Sequence, residues 1–214
     1  MPISLSEMES AARALGRQLT PQEAQGLVRY LSLLSLWNTR MNLVGARHWR
    51  AMLELAQDSW HVADVLHRWD QSPRLTLDLG AGAGLPGIPL RLFWKQGDYV
   101  LVEPRHKRSV FLRQAVVELG LSRTKVAACR MEELPPELRH ADLVLARAFL
   151  PPPELLAAAR SVLRPGGTLL LMTRQDLTLP NDYVLARTHT YTARAQRQQL
   201  LLVTWRGHEG GNLG

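Results

Sequence analysis

The chain has 214 residues, 46% hydrophobic and 21% charged, which leaves room for one sizeable α/β domain plus a small addition and excludes a disordered chain. Its formal net charge of +7 and pI near 10.3 suit an acidic partner. Of the 26 basic residues 23 are arginines, whose planar fork suits phosphate, although a compositional bias of the source genome gives the same count.

Residues 1–72 read as a helical section. Leu5, Met8, Ala12 and Leu15 have helical spacing, closed by Gly16. Thr20-Pro21-Gln22-Glu23 combines an N-cap, a first-turn proline and a capping-box glutamate, and the helix it opens carries Leu27, Tyr30, Leu31 and Leu34 on one face. Trp37-Asn38 and Asn42-Leu43 read as a polar break, and a further helix is expected from Trp49 to Leu66. Up to Asp70 seven Arg/Lys balance seven Asp/Glu, so the basic excess belongs to the rest of the chain. The start, Met1-Pro-Ile-Ser-Leu-Ser-Glu, lacks the basic residues and apolar run of a secretory signal, and no apolar stretch approaches membrane-spanning length. Cys129 is the only cysteine and fits a small core position in a reducing compartment, so a cytoplasmic protein is expected.

Pro73 opens a second section, residues 73–206. The apolar run Leu75–Leu79 reads as a buried strand, followed by glycines at Gly80, Gly82, Gly84 and Gly87 and a helix from Ile88 to Trp94. Asp98–Glu103 is a second strand ending in an acid, and His106 to Gly120 a basic helix closed by glycine. Lys125–Cys129 and Ala141–Arg147 are the third and fourth strands. Glu154–Leu163 reads as a helix, and Arg164-Pro-Gly-Gly167 turns into a fifth strand, Thr168–Met172. Two β-rich runs, Tyr183–Thr190 and Leu200–Trp205, lie close enough to pair antiparallel, and residues 207–214 read as a flexible tail. Strands alternating with helices imply a parallel sheet with right-handed crossovers. The expected fold is α/β and Rossmann-like: a seven-stranded, mostly parallel sheet with an antiparallel C-terminal edge hairpin and the N-terminal helices packed on it in one globular unit.

In such a sheet ligands bind beyond the carboxyl ends of the strands, where a glycine-rich turn lets them approach the backbone. Two ligands compete for this turn. Gly82-x-Gly84-x-x-Gly87 satisfies the dinucleotide pattern, with Glu103 placed to grip a ribose. Asp78-x-Gly80-x-Gly82-x-Gly84 satisfies that of a class I S-adenosylmethionine-dependent methyltransferase. Asp78 favours the second, since an acid there repels a pyrophosphate but not an amino group or a sulfonium. Pro86 and Pro89 favour it too, because a proline near the helix start removes an amide that a pyrophosphate would use. A purely structural glycine turn is the remaining reading. Around the turn, Glu103 can accept both ribose hydroxyls, Met131 can cover a flat adenine, and Glu132 or its backbone can read the adenine amino group. Arg147 closes the fourth strand near both cofactor and acceptor, unless an ion pair to a neighbouring acid such as Asp78 occupies it. Arg91, Arg105, His106, Lys107, Arg108, Arg113 and Arg174 are candidates to ring the cleft and meet phosphate.

From about Leu19 to Trp205 the chain resembles the bacterial 16S ribosomal RNA guanine-N7 methyltransferase family, also called the glucose-inhibited division protein B family. The resemblance is carried by Trp37-Asn38-x-x-x-Asn42-Leu43-x-x-x-Arg47, Asp58-Ser59, the run from Asp78 to Leu90, Lys107-Arg108-x-x-Phe111-Leu112 and Arg147-Ala148-Phe149. It implies S-adenosyl-L-methionine as cofactor, with contacts at Gly80, Leu85, Met131, Glu132 and Arg147. It also implies methyl transfer to a guanine in the decoding region, with 16S ribosomal RNA or a 30S assembly intermediate as partner, no membrane and no obligate protein partner. No metal is expected. The chain departs from the family at Leu55, usually histidine, and at Arg174-Gln175, usually lysine and glycine, both on the acceptor side. The alternatives are a methyltransferase acting on a small molecule or protein, and a ribosome-assembly protein that retains the cofactor pocket without turnover.

Overall fold

The computed structural model describes residues 3–207. Three helices come first, α1 (Leu5–Ala14), α2 (Pro21–Met41) and α3 (Trp49–His67). The hydroxyls of Ser4 and Thr20 each accept an amide three residues on, and Glu7 and Glu23 return the bond, so α1 and α2 both open on a full capping box. The break expected at Trp37-Asn38 does not occur: α2 runs on to Met41 and ends at Asn42, in left-handed backbone with φ 49°. Asn38 is turned inward. Its amide donates to Ala46 O and accepts from Val44 N, both at 2.9 Å, so the polar side chain organises the loop beyond the helix instead of interrupting it.

Strands and helices then alternate as β1 (Leu75–Leu79), α4 (Gly87–Phe93), β2 (Asp98–Val102), α5 (His106–Glu118), β3 (Thr124–Ala127), β4 (Ala141–Arg147), α6 (Pro152–Ala159), β5 (Leu163–Thr173), β6 (Tyr183–Ala193) and β7 (Gln196–Trp205). The seven strands lie in the order β3-β2-β1-β4-β5-β7-β6. The first five pair in parallel, and β7 runs antiparallel to both β5 and β6. The expected sheet and edge hairpin are therefore present. Strand order reverses between β1 and β4, so the switch point, where open α/β sheets bind ligands, lies at the carboxyl ends of those two strands.

Side chains alternate across this sheet as the pleat requires. Tyr99, Leu101, Leu143, Leu145, Leu170, Leu200 and Leu202 join a core shared with Met8, Leu27, Tyr30 and Leu53 of the first three helices. Val100, Val102, Val144, Ala146, Leu169, Leu171 and Val203 form a second core with Leu155 and Leu156 of α6.

Most boundaries shift by a residue or two, β3 for one ending at Ala127 and leaving Cys129 half-buried beyond it, and two regions depart further from expectation. The last helix stops at Ala159, and Leu163 already pairs with Ala141, so Arg164-Pro-Gly-Gly167 is an irregularity inside β5 and not a turn before it. Asp142 holds that irregularity: its carboxylate meets Arg164 Nε at 2.7 Å and accepts the amides of Arg74 and Leu75 at 2.9 and 3.0 Å. The terminal strands are also longer than expected, meeting at Arg194-Ala195 with φ of 52° and 56°. Positive φ at both residues matches the twist of a hairpin, a conformation usually written Asn-Gly. Of the expected 207–214 tail, residues 208–214 lie outside those described.

Candidate functional site

The turn after β1 is fastened from three sides. Gly80 and Ala81 donate to Val102 O at 3.0 and 3.1 Å, Gly84 donates to Ala81 O at 2.7 Å, and Ile88 donates to Gly84 O at 2.7 Å. The Gly82 amide donates to Glu103 Oε2 at 2.9 Å, and Tyr30 Oη of α2 donates to Ala83 O at 2.8 Å. Gly80, Gly82 and Gly84 all have positive φ, and a Cβ on Gly80 would stand 2.5 Å from the Phe149 ring. A pyrophosphate needs a cradle of unspent amides, with negative charge kept away. Here four of the turn's amides are already spent, those of Gly80 and Ala81 on Val102 O, that of Gly84 on Ala81 O and that of Gly82 on a carboxylate, and Pro86 stands at the start of α4 without an N–H. The turn fits a ligand with a cationic end far better than a dinucleotide.

Two acids flank it at the ends of adjacent strands. Asp78, 2% exposed, accepts from Tyr99 Oη at 3.0 Å and abuts Gly87. Burial pushes its carboxyl up to about 7, against the opposing pull of the Tyr99 hydrogen bond and the Arg147 charge. Asp78 thus supports the turn from beneath. Glu103 is also buried, and its second oxygen accepts the Arg105 amide at 2.9 Å at the start of α5. A carboxylate offers about four lone-pair sites, so two remain for hydroxyl donors.

The other expected residues spread around this centre. Leu85 lies half-buried beside Pro86, packed against the first core. Met131, in a single 3-10 turn after β3, is buried in the second core and offers a ligand only an edge. The Glu132 side chain is exposed, and its carbonyl accepts from Arg139 at 3.1 Å. Arg108 is half-buried, its Nη1 3.6 Å from where a Cβ on Gly82 would lie, whereas Lys107 is exposed one residue earlier on α5. Arg174 follows β5, exposed, with Nε 3.4 Å from Gln198 Oε1 and bordering a cleft of about 290 Å³ that also takes in Ala148, Leu150 and Met172.

Arg147 is anchored, but not by Asp78. Its Nη1 lies 3.2 Å from Asp58 Oδ2 and donates to Leu55 O at 3.3 Å. The buried Asp58 also accepts from Tyr191 Oη at 2.8 Å and from Arg194 Nη2 at 3.4 Å, so one carboxylate of α3 ties β4 to the β6–β7 hairpin. Tyr191 in turn stacks on His61 with ring centroids 3.9 Å apart. Leu55 therefore stands beside Arg147 through its backbone. Arg91 does not reach the cleft at all. It is 2% exposed, and its guanidinium caps the end of α4, donating to the carbonyls of Trp94, Lys95, Gln96 and Gly97 and to Ser122 O and Thr124 Oγ1. Nothing local in the sequence separates that role from a phosphate contact. No group of three or more potential metal ligands occurs among the described residues.

A family model described as GidB, rRNA small subunit methyltransferase G, matches residues 23–200. The chain is 39% identical over 196 residues, 90% of each chain, to the Ribosomal RNA small subunit methyltransferase G of Nitratidesulfovibrio vulgaris (strain DP4). It is 39% identical over 207 residues to that of Lawsonia intracellularis (strain PHE/MN1-00), covering 92% of this chain and 96% of the relative. Among solved structures, magnesium protoporphyrin IX methyltransferase from Synechocystis PCC 6803 with bound SAM is similar with a TM-score of 0.59 over 82% of this chain and 97% of that one; at 15% identity this is a likeness of fold.

Proposed function

Because the chain belongs to the GidB family, rRNA small subunit methyltransferase G, we propose that it transfers a methyl group from S-adenosyl-L-methionine to N7 of a guanine in the decoding region of 16S ribosomal RNA, in the cytoplasm. The observation that carries the cofactor half is the turn after β1, whose Gly80, Ala81, Gly82 and Gly84 amides are already spent and which lies between two buried acids. Gly80, Gly82, Gly84 and Leu85 form its wall, Glu103 takes ribose hydroxyls, Asp78 supplies negative charge beneath a cationic group, and Met131 and Glu132 border the base. Arg147 is the residue proposed to touch cofactor and guanine, with Lys107, Arg108 and Arg174 on the RNA side.

Bound cofactor supplies an electrophilic methyl on a sulfonium. Guanine N7 carries a lone pair at neutral pH, so its attack needs no general base, and the protein's work is alignment, exclusion of water and charge placement. That accords with β4 ending in Arg147-Ala-Phe149 and not in the Asn-Pro-Pro-Tyr of amine methyltransferases. With Nη1 directed to Asp58 and Leu55, the rest of the Arg147 fork is left to donate towards an acceptor base. Labelled methyl groups should enter 16S ribosomal RNA or 30S particles, at a guanine N7, and not small-molecule or protein pools. Label in either of those pools, or none anywhere despite cofactor binding, overturns the reading.

Asp78 gives this site a pH signature. A carboxyl raised in the folded state holds its proton more tightly than in the unfolded chain. Its contribution to stability is full below its ordinary 3.8 and is lost as pH rises through about 7. Affinity for a cationic ligand runs the other way. Calorimetric titration should show S-adenosylmethionine binding strengthen from about pH 5.5 to about 7.5 and then level off. In Asp78→Asn the profile should be flat; an unchanged slope there removes Asp78 as its source.

A further inference from the structure

We infer that the groove between α2 and α5 is a docking site for single-stranded RNA, taking an unpaired base on its apolar floor and the adjoining phosphates on its rim. The inference rests on the proposed RNA substrate, and it adds a second site away from the glycine turn, on the N-terminal helices.

Leu36, Trp37, Arg40 and Met41 form one stripe over the last turns of α2, and Lys107, Val110 and Gln114 face them from α5, around a groove of about 700 Å³. That volume lies within the range of ligand-binding clefts. The floor is fixed. Trp37 packs edge-on against the buried Phe111 with ring centroids 5.7 Å apart, and its Nε1 donates to Gln114 Oε1 at 3.0 Å, so the indole is held in one orientation. Around it the surface is unusually apolar: Leu36 is 63% exposed, and Val117, on the same stripe of α5, is 80% exposed.

Charge selects the occupant. The ionisable groups lining the groove are Arg40, Lys107 and His106, and no carboxylate lines it. The acid on α5, Glu118, lies at the far end and accepts from Gln114 Nε2 at 3.4 Å. An oriented aromatic between cations is the combination by which proteins hold single strands: the base stacks, and the phosphates meet the basic rim. The groove also leads towards the site already described, since Arg108, next to Lys107, approaches Gly82. An apolar protein partner or a second copy of this chain would use the floor but gain nothing from the rim.

The test uses the full chain and measures equilibrium affinity for deproteinised 16S ribosomal RNA and for 30S particles across a salt series. Arg40→Glu and Leu36→Glu change exposed positions, and Trp37→Ala removes the stacking surface. Each should weaken binding about tenfold or more near 0.1 M salt, and Arg40→Glu should also make the slope of log affinity against log salt shallower. Cofactor affinity and melting temperature should stay at wild-type values in the two glutamate variants, which keeps the result readable where Trp37→Ala unfolds. Unchanged affinity in both glutamate variants overturns the inference, and so does a change confined to self-association in sedimentation. Affinity is read here without turnover, so failure of methyl transfer to RNA and failure of the groove give separate results.

Discussion

Gly87→Ala should lower the melting temperature by about 10 °C and weaken S-adenosylmethionine binding more than tenfold. The methyl group it adds would fall on Asp78 Oδ2, 2.9 Å from Leu101 Cδ2 and 3.0 Å from Tyr99 Oη. None of these can give way cheaply. Asp78 and Tyr99 are buried and hydrogen-bonded to each other at 3.0 Å, and Leu101 stands in the first core on β2. Overpacking of this kind costs roughly 1–3 kcal/mol, and a strained Tyr99–Asp78 bond adds about 1–3 kcal/mol. Because the same carboxylate underlies the glycine turn, the affinity loss should accompany the stability loss. Gly45→Ala is the control, since a Cβ there meets nothing within 4 Å. Thermal melts of Gly87→Ala and Gly45→Ala that coincide within about 2 °C would show that the turn is not packed as tightly as these distances require.

That turn was legible in the sequence because its constraints are local. β1 and β4 match their apolar runs residue for residue, as strands covered on both faces do. The capping box at Thr20 and the glycine ends of α1 and α5 also need only neighbours within one or two turns of chain. The family, too, could be read from short motifs, and the comparisons bear it out. What escaped is set by distant partners. Asn38 reads as a helix breaker until the loop it bonds is known, and Arg91 reads as a phosphate ligand until the carbonyls closing around it are seen. The hairpin turn carries Arg194-Ala195, with no Asn-Gly to announce it, because the Arg194 side chain is required elsewhere: Nη1 donates to Glu54 O at 2.8 Å and Nη2 reaches Asp58. The clearest case is Arg147. Its position at a strand end marks it, but its anchoring acid lies on α3 and not at the neighbouring strand end, where Asp78 is the obvious guess.

The Asp58 cluster sets the largest expected loss of activity. Asp58 has 4% side-chain exposure against 25% and 21% for Arg147 and Arg194, so the acid is the buried member and both arginines converge on it. Removing one partner from such a pair costs about 3 kcal/mol, since the remaining charges lose their compensation while staying partly desolvated. Asp58→Ala should therefore melt about 10 °C lower and lose methyl transfer. Asp58→Asn separates the two effects. Its amide oxygen can still accept from Tyr191, which keeps the hairpin on α3, but it no longer attracts Arg147 as an ion. The Asn variant should recover only part of the stability that Asp58→Ala loses and yet lose about a hundredfold in turnover at saturating substrate, the scale of losing one well-placed donor. Arg147→Ala should lose as much, and the double variant Asp58→Asn with Arg147→Ala should lose no more than Arg147→Ala alone, since the acid acts through the arginine. Additive losses in that cycle would assign Asp58 a role independent of Arg147. Wild-type turnover in Asp58→Asn would mean that the guanidinium finds its place without the ion pair.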